Sequence, residues 1–185
     1  MTKQNDGTAK VYLWMSSLSS PYLVNRAPGM PSRSAPPSTP ASCDDLCQGL
    51  KKAFESRLSG FADISAVKSN GDGVSGVTLK LSGAGDCAVN PIARPHSTEA
   101  GTQYVCYWTE NYVSAAAARF RDLVSRSQVL VPSEWTSHQE DRLDQLTGAK
   151  VTEWCSLAPD GKQQVCVDIL GESVGLHIAS WNGKL

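Results

Sequence analysis

Alternation of apolar and polar positions is the clearest pattern in the C-terminal half of the chain. Val174, Leu176 and Ile178 are separated by single residues of smaller or more polar character, which is the period of a strand with one buried face. The same period occurs around Leu79 and Leu81. With the β-branched and aromatic runs, these patterns predict strands over about 76–82, 85–89, 103–109, 150–157, 163–170 and 173–180.

A helical period of apolar residues predicts a first helix over about 43–59. Its apolar stripe consists of Cys43, Cys47, Leu50 and Phe54. Ser42, with Asp45 three residues later, is typical of a helix start that resembles a capping box. Gly60 is the expected C-cap, because glycine adopts the left-handed conformation that ends many helices.

The second helix is predicted over about 113–130, from Ser114 through a run of alanines with high helix propensity. Its expected inner face consists of Ala116, Phe120, Leu123 and Val124. Pro132 should stop the helix, because proline cannot donate the next backbone hydrogen bond.

A second capping box predicts a short additional helix before the last three strands. Ser137 and Glu140 stand at the required spacing, and the apolar residues Leu143 and Leu146 follow. Gly148 is the expected end of this helix.

The order of elements predicts an α+β fold made of two consecutive helix-plus-β-meander units, each α-β-β-β. The units span residues 42–110 and 111–185 and together form one compact globular domain, 42–185. We expect an antiparallel sheet, stapled by disulfides, with the helices packed on one face. Residues 1–41 are rich in serine and proline and are predicted to be a disordered tail.

In architecture alone, this arrangement resembles the secreted inhibitors of the β-lactamase inhibitory protein type. Those proteins also use tandem helix-plus-sheet units with a hairpin disulfide in each. None of that family's repeat motifs occurs in this sequence, so the resemblance concerns the fold and implies no activity.

Six cysteines divide into three pairs by their spacing. An even-length loop centred on Asp160 and Gly161 places Cys155 directly opposite Cys166, within disulfide distance. A three-residue turn with a bulge would instead put the two side chains on opposite faces. Buried free thiols are the alternative to a disulfide, but free cysteines have no reason to fall in register.

The other two pairs rest on weaker geometry. Cys87 and Cys106 lie on strands joined by a proline-containing loop of about a dozen residues. Cys43 and Cys47 lie one helical turn apart, which a regular helix does not bring into disulfide geometry. A local disulfide in a distorted first turn, half of a metal site and two buried thiols are the alternatives, and the local disulfide is favoured.

Charge and motifs exclude several classes of function. The net charge of −1 over 185 residues argues against nucleic-acid binding. No run approaches the roughly 18 apolar residues of a membrane-spanning helix. The sequence lacks nucleotide-binding, serine-hydrolase and zinc-protease motifs, and its three histidines are scattered, so no cofactor and no metal are expected. Cysteine pairing indicates an oxidising compartment, periplasmic or extracellular, and the export signal is expected to be either degenerate or absent from this chain.

The candidate binding residues are aromatic or lie in the proline-containing loop. They are Trp108, Trp154, Arg94, His96 and His177. Trp154 alternates with Cys155, so its side chain leaves the opposite face of the strand, where it serves either a binding surface or a core under the helices.

We hypothesise an exported bacterial binding module that recognises a protein or peptide through the sheet face or the Pro91–His96 loop. The first alternative is a small exported hydrolase that uses His177 with Asp168 or Glu172. The second is a structural domain of a cell-envelope assembly, tethered by residues 1–41. An enzyme is the less favoured class, because no catalytic motif is present.

Overall fold

A six-stranded antiparallel sheet and two helices make up the part of the chain that the computed structural model describes, residues 43–66, 76–93, 99–144 and 147–184. The predicted tail, residues 1–41, lies outside these ranges. The helices are α1 (Asp45–Ser56, continued by a 3-10 turn at Arg57–Ser59) and α2 (Val113–Leu130). The strands are β1 (Asp86–Ala93), β2 (Glu99–Thr109), β3 (Thr136–Leu143), β4 (Lys150–Leu157), β5 (Gln163–Leu170) and β6 (Ser173–Lys184).

The spatial order of the strands is β1-β2-β6-β5-β4-β3, so that the last strand of the chain lies in the middle of the sheet. The prediction of a disulfide-bearing α+β fold is confirmed. Two strands follow α1 and four follow α2, and the duplication of an α-β-β-β unit stays a prediction.

The ends of both helices agree with their local sequence signals. Asp44, rather than Ser42, is the N-cap of α1, and its carboxylate accepts the Cys47 N–H at 2.9 Å. Gly60 follows the 3-10 turn with φ of 62°, as predicted. Helix α2 has the predicted bounds and ends one residue before Val131, whose extended backbone leads into Pro132.

The predicted short helix from Ser137 to Leu146 is wrong, because residues Thr136–Leu143 form strand β3. The strand is exposed along nearly its whole length and pairs with β4 over eight residues. A turn then leads back to β4, in which Thr147 N–H donates to the Asp144 side chain and Gly148 has φ of 68°. Hydrogen bonds offered by the neighbouring strand outweighed the local capping signal.

The predicted strand over 76–82 is also wrong. Only a single bridge, between Ser65 and Val77, is formed there. Carbonyl groups of this segment are instead hydrogen-bonded by side chains of β2: Tyr104 donates its hydroxyl to Leu79 and Trp108 its indole N–H to Ser82. The segment therefore lies against the sheet without joining it.

The hairpin of β1 and β2 is longer than predicted. The strands pair from Asp86 with Tyr107 to Ala93 with Ala100, so much of the predicted loop of about a dozen residues belongs to these strands; residues 94–98 lie outside the described ranges. Pro91 is tolerated inside β1 because β1 is an edge strand, where a missing N–H leaves no neighbour unpaired.

The core lies on one side of the sheet. Leu50 and Phe54 of α1 and Leu130 of α2 border one small cavity together with sheet residues such as Val165 and Leu176. We call this side the helix face; its strand residues include Cys87, Val89, Tyr104, Cys106, Trp108, Trp154, Val165, Val167, Leu176 and Ile178. The opposite side, the outer face, carries the alternate residues of the same strands.

Candidate functional site

All three predicted cysteine pairs are disulfides, and the described residues include no free cysteine. Cys155 is directly opposite Cys166 with a Cα–Cα distance of 4.1 Å, which confirms the even-length loop centred on Asp160 and Gly161 and excludes the bulged alternative. Cys87 and Cys106 have the same relation. Cys43 precedes the N-cap of α1, outside the regular helix, and this position lets it reach Cys47 with a Cα–Cα distance of 5.3 Å. Three disulfides in a domain of this size fit an oxidising compartment.

The predicted aromatic candidates lie in the core. Trp108 is 1 % exposed and Trp154 3 % exposed, and both belong to the helix face. The structure thus agrees with the second interpretation of Trp154, a core residue under the helices. Arg94 and His96 lie outside the described residues.

His177 lies on the outer face, in contact with a carboxylate. Its Nε2 is 2.9 Å from Asp168 Oδ2, and each of the two side chains is 11 % exposed. Its Nδ1 is 3.1 Å from the amide nitrogen of Gln103, and the ring meets Tyr107 edge-on with 5.7 Å between centroids. Glu172, the other carboxylate considered with His177, lies in the exposed turn before β6.

Strand pairing assembles this cluster from the consecutive strands β5 and β6 and from β2, which is distant from them in sequence. Strand β6 pairs with β2 on one side and with β5 on the other, so that Gly175 stands between Tyr107 and Asp168. A side chain at Gly175 would occupy the space of the pair, since an added Cβ would lie 2.7 Å from Asp168 Oδ1 and 2.8 Å from His177 Nε2. The absence of a side chain at this position gives the imidazole and the carboxylate room to meet.

The charges of the cluster are set by burial and by neighbouring groups. Burial opposes ionisation of Asp168, but His177, Arg142 and the Gly175 N–H outweigh it and hold the pKa of this carboxyl below its ordinary value. Burial, together with the negative charge of Asp168, raises the pKa of Tyr107 to about 12. The carboxylate is therefore ionised and the phenol neutral at pH 7.

A further ion pair on the outer face adjoins this cluster. Arg142 of β3 lies 3.4 Å from Glu153 of β4, with side chains 28 % and 12 % exposed. Glu153 is directly opposite Asp168 on β5. In register across all six strands, one row contains Glu140, Glu153, Asp168, Gly175, Tyr107 and Asp86. We call it the outer-face row.

His177 and Asp168 form a contact of the kind that acid–base catalysts use. Among the described residues, the groups that contact this pair include no activated nucleophile. Both ring nitrogens of His177 face other groups, Asp168 and Gln103. Tyr107 is a poor nucleophile, because its raised pKa keeps the phenol protonated. Glu153 lies near the sulfurs of Cys155 and Cys166, but these sulfurs are bonded to each other and offer no thiolate to a metal.

Sequence reasoning missed Gln103, Tyr107, Arg142 and Glu153. Tyr107 belongs to the run from Tyr104 to Trp108, which has the composition of a buried strand, and Gln103 directly precedes it. The alternation of side chains along a strand could have identified them. Gln103 and Tyr107 have odd numbers and Cys106 an even one, so their side chains lie on the face opposite to that of Cys106.

No protein-family model, no curated protein and no solved structure matches this chain. Among the described residues, neither helix combines the length and the apolar character that crossing a membrane requires.

Proposed function

We propose that the protein is an exported bacterial binding module that recognises a protein or peptide through the outer face of its sheet and catalyses no reaction. The observation that carries this proposal is the outer-face row, in which carboxylates stand on β1, β3, β4 and β5. Charged groups at strand positions add little to a core and cost desolvation when they are covered, so their alignment on one face favours a recognition role.

On this face, Glu153 of the row and Arg142, which pairs with it from β3, are the groups best placed to meet a partner. Both are partly exposed, and both can exchange their mutual contact for a contact across an interface. Asp168 and His177 are less exposed and already paired, so they hold the centre of the face rigid while the β3–β4 side makes the contacts. The expected partner has polar and charged groups that complement an ion pair.

A matched pair of variants tests this surface. Arg142→Ala with Glu153→Gln removes the outer-face ion pair, and Asp141→Asn with Lys150→Ala removes the second β3–β4 ion pair, which lies on the other side of the same strands. Oxidised full-length protein, immobilised and exposed to periplasmic and secreted fractions of the producing bacterium, should retain a defined partner. The first variant should lose this partner and the second should keep it. Equal retention by both would contradict the proposed surface.

Export is part of the proposal and has its own test. Intact cells are treated with a membrane-permeant alkylating agent, and the mass of the protein is then measured without reduction. An exported protein with three disulfides should remain unmodified, since no thiol is available. Six alkylated cysteines would place the protein in a reducing compartment and contradict export.

A small exported hydrolase remains the second candidate, favoured by the contact between His177 and Asp168. Ester and peptide substrates would be assayed with the wild type, His177→Gln and Asp168→Asn. Turnover by the wild type that both substitutions abolish would support the hydrolase. Turnover unaffected by either substitution would exclude His177 as the catalytic base.

A further inference from the structure

Strand β3 is an open edge of the sheet. Among the described strands it pairs with β4 alone, and it is the last in the spatial order. Seven of its eight residues are exposed, and it contains no proline. An edge strand of this kind presents alternate backbone N–H and C=O groups to any strand that can lie beside it.

The side chains of this edge restrict what can pair with it. Its sequence, Thr-Ser-His-Gln-Glu-Asp-Arg-Leu from Thr136 to Leu143, is charged rather than apolar. Charges on an edge strand oppose indiscriminate pairing, because most registers bring like charges together. The occupant must therefore carry a complementary pattern.

We propose that this occupant is β3 of a second copy of the chain, paired antiparallel with Gln139 on the two-fold axis. In this register each His138 lies opposite the partner's Glu140, which makes two equivalent pairs of an imidazole donor and a carboxylate acceptor on the outer face. Ser137 lies opposite the partner's Asp141 on the other face, and the strands overlap from Thr136 to Arg142. A two-fold axis makes the interface self-complementary, as in closed homodimers.

Symmetry and charge together select this register. A continuous sheet that keeps both helix layers on one side must pair residues of equal parity, because side chains alternate between faces. A shift of two residues one way opposes the two copies of Glu140, and two residues the other way opposes the two copies of His138. A shift of four sets Glu140 opposite the partner's Arg142, but it also brings Asp141 opposite the partner's Asp141 and shortens the overlap to residues 139–143. Only the register on Gln139 combines an overlap of seven residues with no pair of like charges.

The dimer would join two six-stranded sheets into one and set the two outer-face rows side by side. This inference does not rest on the proposed binding function, since it concerns the strand edge and not the Arg142–Glu153 pair. Either proposal can therefore fail without the other.

Single-cysteine cross-linking in the full-length, oxidised protein tests the register. The native cysteines of the described chain are all in disulfides, so an introduced cysteine is the free thiol. Directly opposed residues have Cα atoms about 4.5–5.5 Å apart, within disulfide range. Gln139→Cys should form a covalent dimer under mild oxidation, seen on a non-reducing gel. Ser137→Cys alone should not, whereas Ser137→Cys mixed with Asp141→Cys should form a heterodimer.

Two controls make the result decisive. Val129→Cys on α2 is 84 % exposed and reports random collisions. A charge swap tests the pairs: His138→Glu opposes like charges at two positions and should weaken dimerisation about tenfold in sedimentation experiments, and adding Glu140→Lys should restore it. Cross-linking of Gln139→Cys no faster than that of Val129→Cys, or a wild type that is monomeric at all concentrations, would overturn the proposal.

Discussion

The two faces of the central sheet are built from alternate residues of the same strands, yet they carry different chemistry. On β2, Trp108 is 1 % exposed and packs in the core, while its neighbour Tyr107 points to the outer face and meets His177. On β5, Val167 belongs to the core and Asp168 pairs with His177. Adjacent residues of one strand therefore serve different purposes: one packs in the apolar core and the next takes part in charged and polar contacts on the outer face.

The two faces depend on different kinds of interaction. Burial of apolar side chains by itself stabilises the folded protein, by about 25 cal/mol for each Å² of apolar surface removed from water. Buried charges stabilise the folded protein only when each has a partner, and removing one partner lowers the stability because the other charge is left unpaired. We expect substitutions on the helix face to act through packing and those on the outer face through pairing.

The largest expected effect is that of Trp108→Ala on the helix face. Removing a fully buried indole should lower the free energy of unfolding by about 3–5 kcal/mol, because the loss of burial adds to a cavity. Urea unfolding followed by circular dichroism gives the value. Tyr107→Ala, the adjacent residue on the outer face, is the matched control and should cost less. Equal losses of unfolding free energy would contradict the proposed difference between the two faces.

The disulfides offer the next test, since Cys87–Cys106 lies on the helix face and Cys155–Cys166 on the outer face. Replacing either pair by alanine should cost about 2–4 kcal/mol. The first should cost more by about 0.5 kcal/mol, because it closes the longer loop, with a sequence separation of 19 against 11. The Asp160-Gly161 turn also holds the second hairpin without its bridge. Melting temperatures of the two double variants decide the order, and the reverse order would contradict it.

Gly175→Ala sharpens the description of the outer face. The added methyl group would meet Asp168 and His177 at less than contact distance, and we expect a loss of about 1–3 kcal/mol from overpacking. In the double variant Gly175→Ala, Asp168→Ala one of the two clash partners is absent, so the cost of the glycine substitution should fall. Strict additivity of the two single substitutions would show that the pair does not need this space.

The smallest expected effect is in alkaline solution. Because the folded-state pKa of Tyr107 is raised from 10.0 to about 12, the folded protein holds its phenol proton more tightly than the unfolded chain does. Its contribution to stability is complete below pH 10 and is lost as pH rises towards about 12. Tyr107→Phe should show a flatter decline of urea-unfolding midpoints across this interval. An unchanged decline would assign the alkaline loss to Tyr104, whose pKa is also raised by burial.

Several elements could be predicted because their signals are local. The Asp160-Gly161 turn fixes the register of β4 and β5, and with it the pairing of Cys155 and Cys166. Helix α2 has the predicted bounds, since its 3.6-residue period is continuous and Pro132 follows it. In these cases the residues that determine the structure lie within a few positions of one another.

Other predictions failed where a distant partner outweighed the local signal. The capping pattern at Ser137 is as good as that of many helices, but the edge of β4 offers a full ladder of hydrogen bonds, and Thr136–Leu143 pairs with it as β3. Around Leu79 the alternation is that of a strand, but hydroxyl and indole donors from β2 occupy its carbonyl groups. Propensity is a weak preference that tertiary contacts override.

The candidate site was decided by tertiary structure almost entirely. The sequence by itself determined the disulfides, the strand parity that puts His177 opposite the core residues of β6, and Asp168 as one of two carboxylates to consider. The pairing of β6 with β2 brought in Gln103 and Tyr107, which lie about seventy residues away in the chain. Register between strands so far apart is set by the packing of whole faces, and no local sequence signal encodes it.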